Sequence, residues 1–138
     1  ADRDETHPII IAGGHSTLNP EPMHAFIDAF VIGEGEEVIH DIIAALQRTK
    51  NIKREDRLRE LARIQGVYVP RFYKAHYLDD GTLSHTEPLI PEASAVVTKR
   101  MVAKLPPPPT KFIVPNIGIV HNRVSVEIMR ECTRGCRI

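Results

Sequence analysis

AFVIGEGEEVIHDIIAAL, residues 29–46, is the stretch that decides the fold class of this chain. Its first four residues are an apolar run that glycines at positions 33 and 35 close, which is typical of a short buried strand and its exit turn. The stretch therefore predicts a strand followed by a helix with one strong buried face. That face repeats with a helical period at Val38, Ile39, Ile42, Ile43 and Leu46.

A similar pair of elements precedes this stretch. Residues 8–12 (PIIIA) are a continuous apolar run that ends at a glycine pair, as expected of a buried parallel strand. Asn19 is a suitable helix cap, and Pro20 suits the first helical position. The order strand, helix, strand, helix favours parallel strands joined by crossover helices, which is the α/β class. The predicted first helix ends near Asp28, and its apolar face consists of Met23, Phe26 and Ile27.

The middle of the chain has a different composition. Charged side chains dominate residues 47–57, and a narrow apolar stripe at Leu58, Leu61 and Ala62 then predicts a helix that ends at Gly66. Residues 67–69 read as a further strand.

A β-hairpin is predicted next, with strands at residues 72–78 and 82–85 and an Asp-Asp-Gly turn between them. We expect it beside the α/β sheet rather than within it. The prolines at 106–109 predict a stiff polyproline spacer, and the extended stretch 112–115 follows it.

Bulk properties exclude several classes of protein. The 138 residues carry 18 basic and 18 acidic side chains, so nothing indicates a nucleic-acid-binding patch. No apolar window is long enough for a membrane span. Two cysteines in the whole chain fit unbridged thiols in a reducing, cytoplasmic compartment. The sequence has neither an initiator Met nor a secretory leader, and we expect a piece of a larger enzyme.

Both cysteines, Cys132 and Cys136, lie in the last seven residues, CTRGCRI. Two thiolates on a short glycine-containing turn suit a soft metal or an iron–sulfur cluster. An alternating β-branched run at residues 124–129 predicts a strand directly before them, and a strand that delivers ligands from its C-terminal end is typical of barrel enzymes. Half of a zinc site and an incidental pair are the alternatives.

Gly13 and Gly14, with His15 after them, lie between a predicted strand and a predicted helix, where bare backbone suits a phosphate or nucleotide tail. The alternative, an ordinary turn that needs glycine for its backbone freedom, is favoured by the local sequence. The acidic stretch 33–38 lacks the third glycine of a dinucleotide loop, and its carboxylates would repel a pyrophosphate, so it predicts a tight turn and an acidic helix start.

Three other groups of side chains are interpreted as structural. Glu36 and His40 share a helix face but offer too few ligands for a metal. His76 and His85 could face each other across the hairpin. An aromatic set is interpreted as a small local core rather than a base-stacking platform, and it consists of Tyr68, Phe72, Tyr73 and Tyr77.

Over nearly its whole length the chain resembles radical SAM proteins that carry an N-terminal cobalamin-binding-like domain, in particular an uncharacterised bacterial branch of them. The likeness rests on residues 8–15 (PIIIAGGH), 19–22 (NPEP) and 28–36, and on residues 127–137, EIMRECTRGCR. It implies the C-terminal part of a Rossmann-like, flavodoxin-like parallel sheet, a hairpin and linker region, and the first strand of a radical SAM barrel.

The resemblance also implies cofactors. Cys132 and Cys136 match the first two ligands of the motif Cys-x-x-x-Cys-x-x-Cys, whose third cysteine would directly follow Ile138. In this family the motif holds a four-iron, four-sulfur cluster that binds S-adenosylmethionine and cleaves it to a 5′-deoxyadenosyl radical. Glu131 stands where that branch usually has glycine. Without the third cysteine, we expect the 138 residues alone to be inactive.

Cobalamin is the further cofactor that the resemblance allows, with Gly13 and Gly14 matching the glycine pair that lets its nucleotide tail pass. The Asp-x-His-x-x-Gly loop that ligates cobalt in true cobalamin binders does not occur in this chain. A non-catalytic cobalamin-binding, nucleotide-binding or scaffold module is therefore the alternative function.

We expect three regions: a partial cobalamin-binding-like domain at 1–50, a helix and hairpin linker at 51–105, and a proline-rich spacer with the start of the radical SAM domain at 106–138. The expected partners are parts of the same protein, namely upstream strands and a downstream barrel.

Overall fold

The computed structural model describes residues 3–104 and positions 107, 111, 116–118, 120, 126, 127 and 130. Contacts divide the chain into two units, Ala1–Ala103 and Lys104–Ile138. The first unit contains the helices and strands given below. The three regions expected from the sequence stay predictions, although the core described below takes residues from both sides of position 50.

A small mixed sheet lies at the centre of the first unit. Its strands are β1 (Ile11–Ala12), β2 (Ala29–Val31) and β3 (Val67–Tyr68), in the order β1-β2-β3. β1 and β2 are parallel, with Ala12 opposite Phe30, which confirms the parallel pairing predicted from the strand and turn pattern. β3 is antiparallel to β2, with Tyr68 opposite Phe30, so the described sheet is mixed rather than wholly parallel.

Two helices cover one face of this sheet. α1 (Gly35–Arg48) and α2 (Arg54–Ala62) both lie where the apolar periodicity predicts helices, and α2 ends four residues before Gly66. Because side chains alternate along a strand, Ala29 and Val31 point to the helices while Phe30 points to the other face. The buried core between the helices and the sheet comprises Ala29, Val31, Val38, Ile42, Ala45, Leu58, Leu61, Ala62, Val67, Val69, Phe72 and Ala93.

The buried face of α1 is narrower than predicted. Val38, Ile42 and Ala45 are buried, whereas Ile39 and Ile43, which were expected in the core, are 47% and 45% exposed. Successive residues of an α-helix are about 100° apart, so the side chains at 39 and 43 lie one step round from the stripe at 38, 42 and 45. α2 and the sheet cover only that stripe.

The helix predicted between Asn19 and Asp28 is wrong. Two short 3₁₀ turns, His15–Leu18 and Glu21–Met23, occupy this crossover instead. Pro20 and Pro22 have no backbone N–H, and Met23 bonds three residues back, to the Pro20 carbonyl, at 3.0 Å. Phe26, placed on the buried face in the prediction, is 60% exposed.

The predicted hairpin is confirmed and forms a separate two-stranded sheet. Its strands are β4 (Tyr73–Tyr77) and β5 (Leu83–Pro88). Gly81 takes a φ of +82° in the turn, a value that glycine adopts without strain. The Asp80 carboxylate accepts the backbone N–H of Thr82 at 2.8 Å, which closes the turn.

A further segment joins the sheet beyond the end of β2, and the sequence patterns do not predict it. Arg100 forms a parallel bridge with Gly33. The Arg100 N–H donates to the Ile32 carbonyl at 2.9 Å, and the Glu34 N–H donates to the Arg100 carbonyl at 2.9 Å. Residues near position 100 thus complete the hydrogen bonding at the exit of β2.

In the second unit, Arg130 pairs with Glu127 at 2.5 Å. The polyproline spacer predicted at 106–109 and the strand predicted at 124–129 fall mostly outside the described residues. Across the part of the chain that the structure describes, no helix is long and apolar enough to cross a membrane.

Candidate functional site

The glycine pair after β1 forms an exposed turn at the carboxyl end of a parallel strand. Gly14 has a φ of +106°, a conformation that side chains other than glycine adopt only with strain. A Cβ added to Gly14 would meet no atom of the described residues within 4 Å, so its described surroundings are open. The backbone angle alone accounts for glycine at this position, and the open space leaves the turn accessible to a ligand.

Thr17 holds this turn against the sheet. Its buried hydroxyl lies 2.7 Å from the Gly14 carbonyl oxygen and 2.8 Å from that of Val31. It therefore links the exits of β1 and β2. Threonine side chains often bond to the backbone three or four residues earlier, so the bond to Gly14 is a local one, whereas the bond to Val31 depends on the tertiary fold.

The exit of β2 is occupied by the protein itself. A Cβ on Gly33, whose φ is +107°, would lie 2.2 Å from the Arg100 carbonyl oxygen. The Arg100 guanidinium pairs with Glu37 at 3.3 Å and with Asp41 at 3.0 Å. The Val102 N–H donates to the Glu34 carboxylate. The predicted acidic start of α1 is present, and its carboxylates serve contacts within the protein.

Tyr68 contacts the 3₁₀ crossover from the face of the sheet opposite the helices. Its hydroxyl donates to the Glu21 carboxylate, and its ring lies 4.6 Å from the ring of Tyr73. Burial, reinforced by the hydrogen bond to Glu21, raises the pKa of Tyr68 well above its usual range. The phenol therefore stays protonated and acts as a donor. Tyr68 and Phe72 are buried as the local-core interpretation requires, whereas Tyr77 is exposed.

A charged cluster missed by the sequence analysis surrounds Arg54, the first residue of α2, whose side chain is only 5% exposed. Its guanidinium donates to the carbonyls of His7 at 2.6 Å and Pro8 at 3.1 Å. It also donates to Asp28 at 2.6 Å. The same Asp28 oxygen accepts the Ile10 N–H at 2.7 Å, so this cluster ties the start of β1 to the start of β2.

Beside this cluster lies a cleft of about 170 Å³, called here the arginine cleft, which is lined by Arg3, His24, Ala25, Ile27, Asp28, Arg54 and Arg71. The only signal for it in the sequence is the abundance of charged residues near Arg54. The charged residues of the cleft are far apart in the sequence, so their spacing does not predict that they lie close together in the fold.

The two histidines of the hairpin do face each other, at paired positions of β4 and β5. The His76 and His85 rings are stacked 4.5 Å apart, and His76 pairs with Glu87 at 2.9 Å. Glu36 and His40 are exposed on α1. Within the described residues, no group of three or more His, Cys, Asp or Glu side chains could hold a metal. Cys132 and Cys136 lie outside those residues, so their ligand role stays a prediction.

A family model described as radical SAM proteins, N-terminal, matches residues 1–70, which are just over half of the 138. This span contains the three-stranded sheet, both helices and the glycine turn. No curated protein and no solved structure matches the chain significantly.

Proposed function

This chain belongs to the radical SAM proteins, and from that premise we propose that its parent is a radical SAM enzyme in which Cys132 and Cys136 ligate an iron–sulfur cluster. The proposal rests on two features that occur together. The family match over residues 1–70 and a Cys-x-x-x-Cys pair at 132 and 136 occur in the same chain. Neither feature alone would distinguish the pair from half of a zinc site.

The donor chemistry of the tail fits a cluster. Thiolates are the protein ligands of four-iron, four-sulfur clusters, and three of them leave one iron open for a small molecule. When bound, such a cluster supplies the electron that cleaves S-adenosylmethionine. Cys132 and Cys136 would provide two thiolates, and we propose that a residue downstream of Ile138 provides the third. Thiolate ligands that are not bridged suit a reducing cytoplasm.

For the first unit we propose a supporting role, as part of a Rossmann-like, cobalamin-binding-type domain. Its parallel β1–β2 pair and the helices on one face are compatible with such a domain. The described side chains of this unit offer no metal-ligand group. On this proposal the first unit is a folded supporting part of the protein, and the barrel contributes the reaction.

The test uses the chain continued into the residues encoded after Ile138, reconstituted anaerobically with iron and sulfide. We expect about four irons per chain and the visible absorption of a cluster. Cys132→Ser and Cys136→Ser should each lose most of the iron, while Thr133→Ser, between them, should retain it. Iron content that is equal in all four proteins would refute the proposal. Residues 1–138 alone should neither hold a full cluster nor cleave S-adenosylmethionine.

A second candidate function is binding of a cobalamin or nucleotide tail at Gly13 and Gly14. The observation in its favour is the open, exposed turn at the carboxyl end of β1, the edge where α/β proteins bind ligands. The sequence contains no Asp-x-His-x-x-Gly loop, so the histidine ligand that such a loop gives to cobalt would not come from these residues. Cobalamin titration of a protein that includes the whole N-terminal region, followed by absorption, tests it. An unchanged spectrum would leave a structural module.

A further inference from the structure

The arginine cleft has three cationic walls from distant parts of the chain. Arg3 precedes β1, Arg54 starts α2, and Arg71 follows β3. Among the described side chains that line it, Arg3, Arg54 and Arg71 are cations and Asp28 is the one carboxylate. A concave site with this charge excess favours an anion.

Asp28 does not cancel this excess. Arg54 lies 2.6 Å from its carboxylate and Arg3 lies 3.4 Å from the same oxygen, so two guanidinium groups meet one negative charge. The Arg3 Nε is buried and has no hydrogen-bond partner among the described residues, and the Arg3 Nη2 donates to the Phe26 carbonyl at 2.7 Å. One positive charge is therefore left over from these three groups inside the cleft. A second carboxylate, Glu5, accepts the Arg54 backbone N–H at 2.7 Å but is not among the residues that line the cleft.

Arg71 supplies the accessible wall. Its side chain is 53% exposed and pairs with Glu55 at 3.3 Å, a surface contact that screening by solvent keeps weak. A guanidinium has five N–H donors, so this single pairing leaves Arg71 able to donate to a ligand as well. Arg54, in contrast, is held rigidly by the His7 and Pro8 carbonyls.

The size of the cleft limits the ligand. A volume of about 170 Å³ equals that of roughly five or six water molecules in the liquid, which suits an oxyanion of a few heavy atoms. Guanidinium groups approaching from three segments match a phosphate better than a carboxylate. Phosphate presents several acceptor oxygens in different directions, whereas a carboxylate has two oxygens that a single arginine satisfies.

We propose that the arginine cleft binds a phosphate group, either as free inorganic phosphate or as the end of a phosphomonoester. Arg54 and Arg3 form its inner wall, and Arg71 closes over the anion from the outer side. This site is independent of the cysteine pair, so the proposal stands whether or not Cys132 and Cys136 hold a cluster.

The experiment is a phosphate titration of the 138-residue chain at constant ionic strength, followed by ¹H–¹⁵N NMR. We expect saturable shift changes at Arg3, Ala25 and Ile27. Arg71→Gln should weaken binding by about tenfold or more, because it removes a charged hydrogen-bond partner. Arg48→Gln, which alters an exposed arginine outside the cleft, should bind phosphate as the unchanged chain does. The spectra of both variants also report whether the fold is intact.

Three ligands separate the alternatives. Tighter binding of phenyl phosphate than of inorganic phosphate would support a phosphomonoester, and the reverse order would support free phosphate. Acetate binding as tightly as phosphate would overturn the proposal. So would shifts that do not saturate, shifts that lie away from the cleft, or an equal loss of binding in Arg48→Gln and Arg71→Gln.

Discussion

Gly33 shows how a single residue without a side chain lets two distant segments meet. Its backbone lies against that of Arg100, and the hydrogen bonds on both sides of it join β2 to a segment 67 residues later in the sequence. The approach leaves no room for a Cβ, and the positive φ excludes most other residues as well.

Gly33→Ala should therefore destabilise the protein strongly. The strained backbone angle and the overlap with the Arg100 carbonyl should each cost about 1–3 kcal/mol of the free energy of unfolding, measured by urea denaturation. Gly35→Ala is the matched control, because a Cβ there meets nothing within 4 Å and alanine favours the helix. If both variants unfold at the same urea concentration, the close contact between Gly33 and Arg100 is wrong.

At the scale of elements, α1 has two adjacent isoleucines that differ in burial, although their side chains are chemically identical. Ile42 is 3% exposed, whereas Ile43 is 45% exposed. We expect Ile42→Ala to lower the free energy of unfolding by about 2–5 kcal/mol, as a cavity forms in the core. Ile43→Ala should lower it by less than about 1 kcal/mol. Urea denaturation of both variants checks this, and the opposite order would mean that α1 is rotated.

Elements with strong local signals were predictable from the sequence. The period of α1 and the Asp-Asp-Gly turn of the β4–β5 hairpin act within a few residues, so reading the chain locally is enough. The 3₁₀ turns before Asp28 were not predictable in this way. Pro20 is compatible with the start of a helix, and whether the second proline, Pro22, prevents a helix depends on how short the connection between β1 and β2 is.

The candidate sites also differ in whether the sequence alone predicts them. Gly13, Gly14 and the cysteine pair are motifs of adjacent residues, so the sequence alone singles them out. The arginine cleft combines residues at positions 3, 24, 54 and 71. No spacing rule connects such positions, and only the pairing of β1 with β2 and the packing of α2 bring them together.

For the whole molecule, the pH dependence of unfolding should reveal Tyr68. Its pKa is raised in the folded state, so up to about pH 10 the phenol is protonated in both states. Above about pH 10 the unfolded phenol ionises and the folded one does not, so stability that Tyr68 contributes is lost as pH rises.

Tyr68→Phe should lower the free energy of unfolding by about 1 kcal/mol at pH 8, because the bond to Glu21 is lost. The difference from the unchanged chain should shrink as pH rises toward 11, because the phenylalanine variant has no phenol to ionise. Urea unfolding across this range measures both effects, with Tyr77→Phe as the control for removing an exposed phenol. A difference that stays constant up to pH 11 would contradict the raised pKa.

The bridge between Gly33 and Arg100 shows that the folded unit is longer than the family match. The family model matches residues 1–70, whereas the compact unit runs to Ala103. Phe72 and Ala93 fill its core, and Arg100 covers the end of β2. Residues 1–70 fused to another protein would therefore have an incomplete core, and the end of β2 would lack its hydrogen-bond partners. A segment of about a hundred residues is needed to transfer the folded unit.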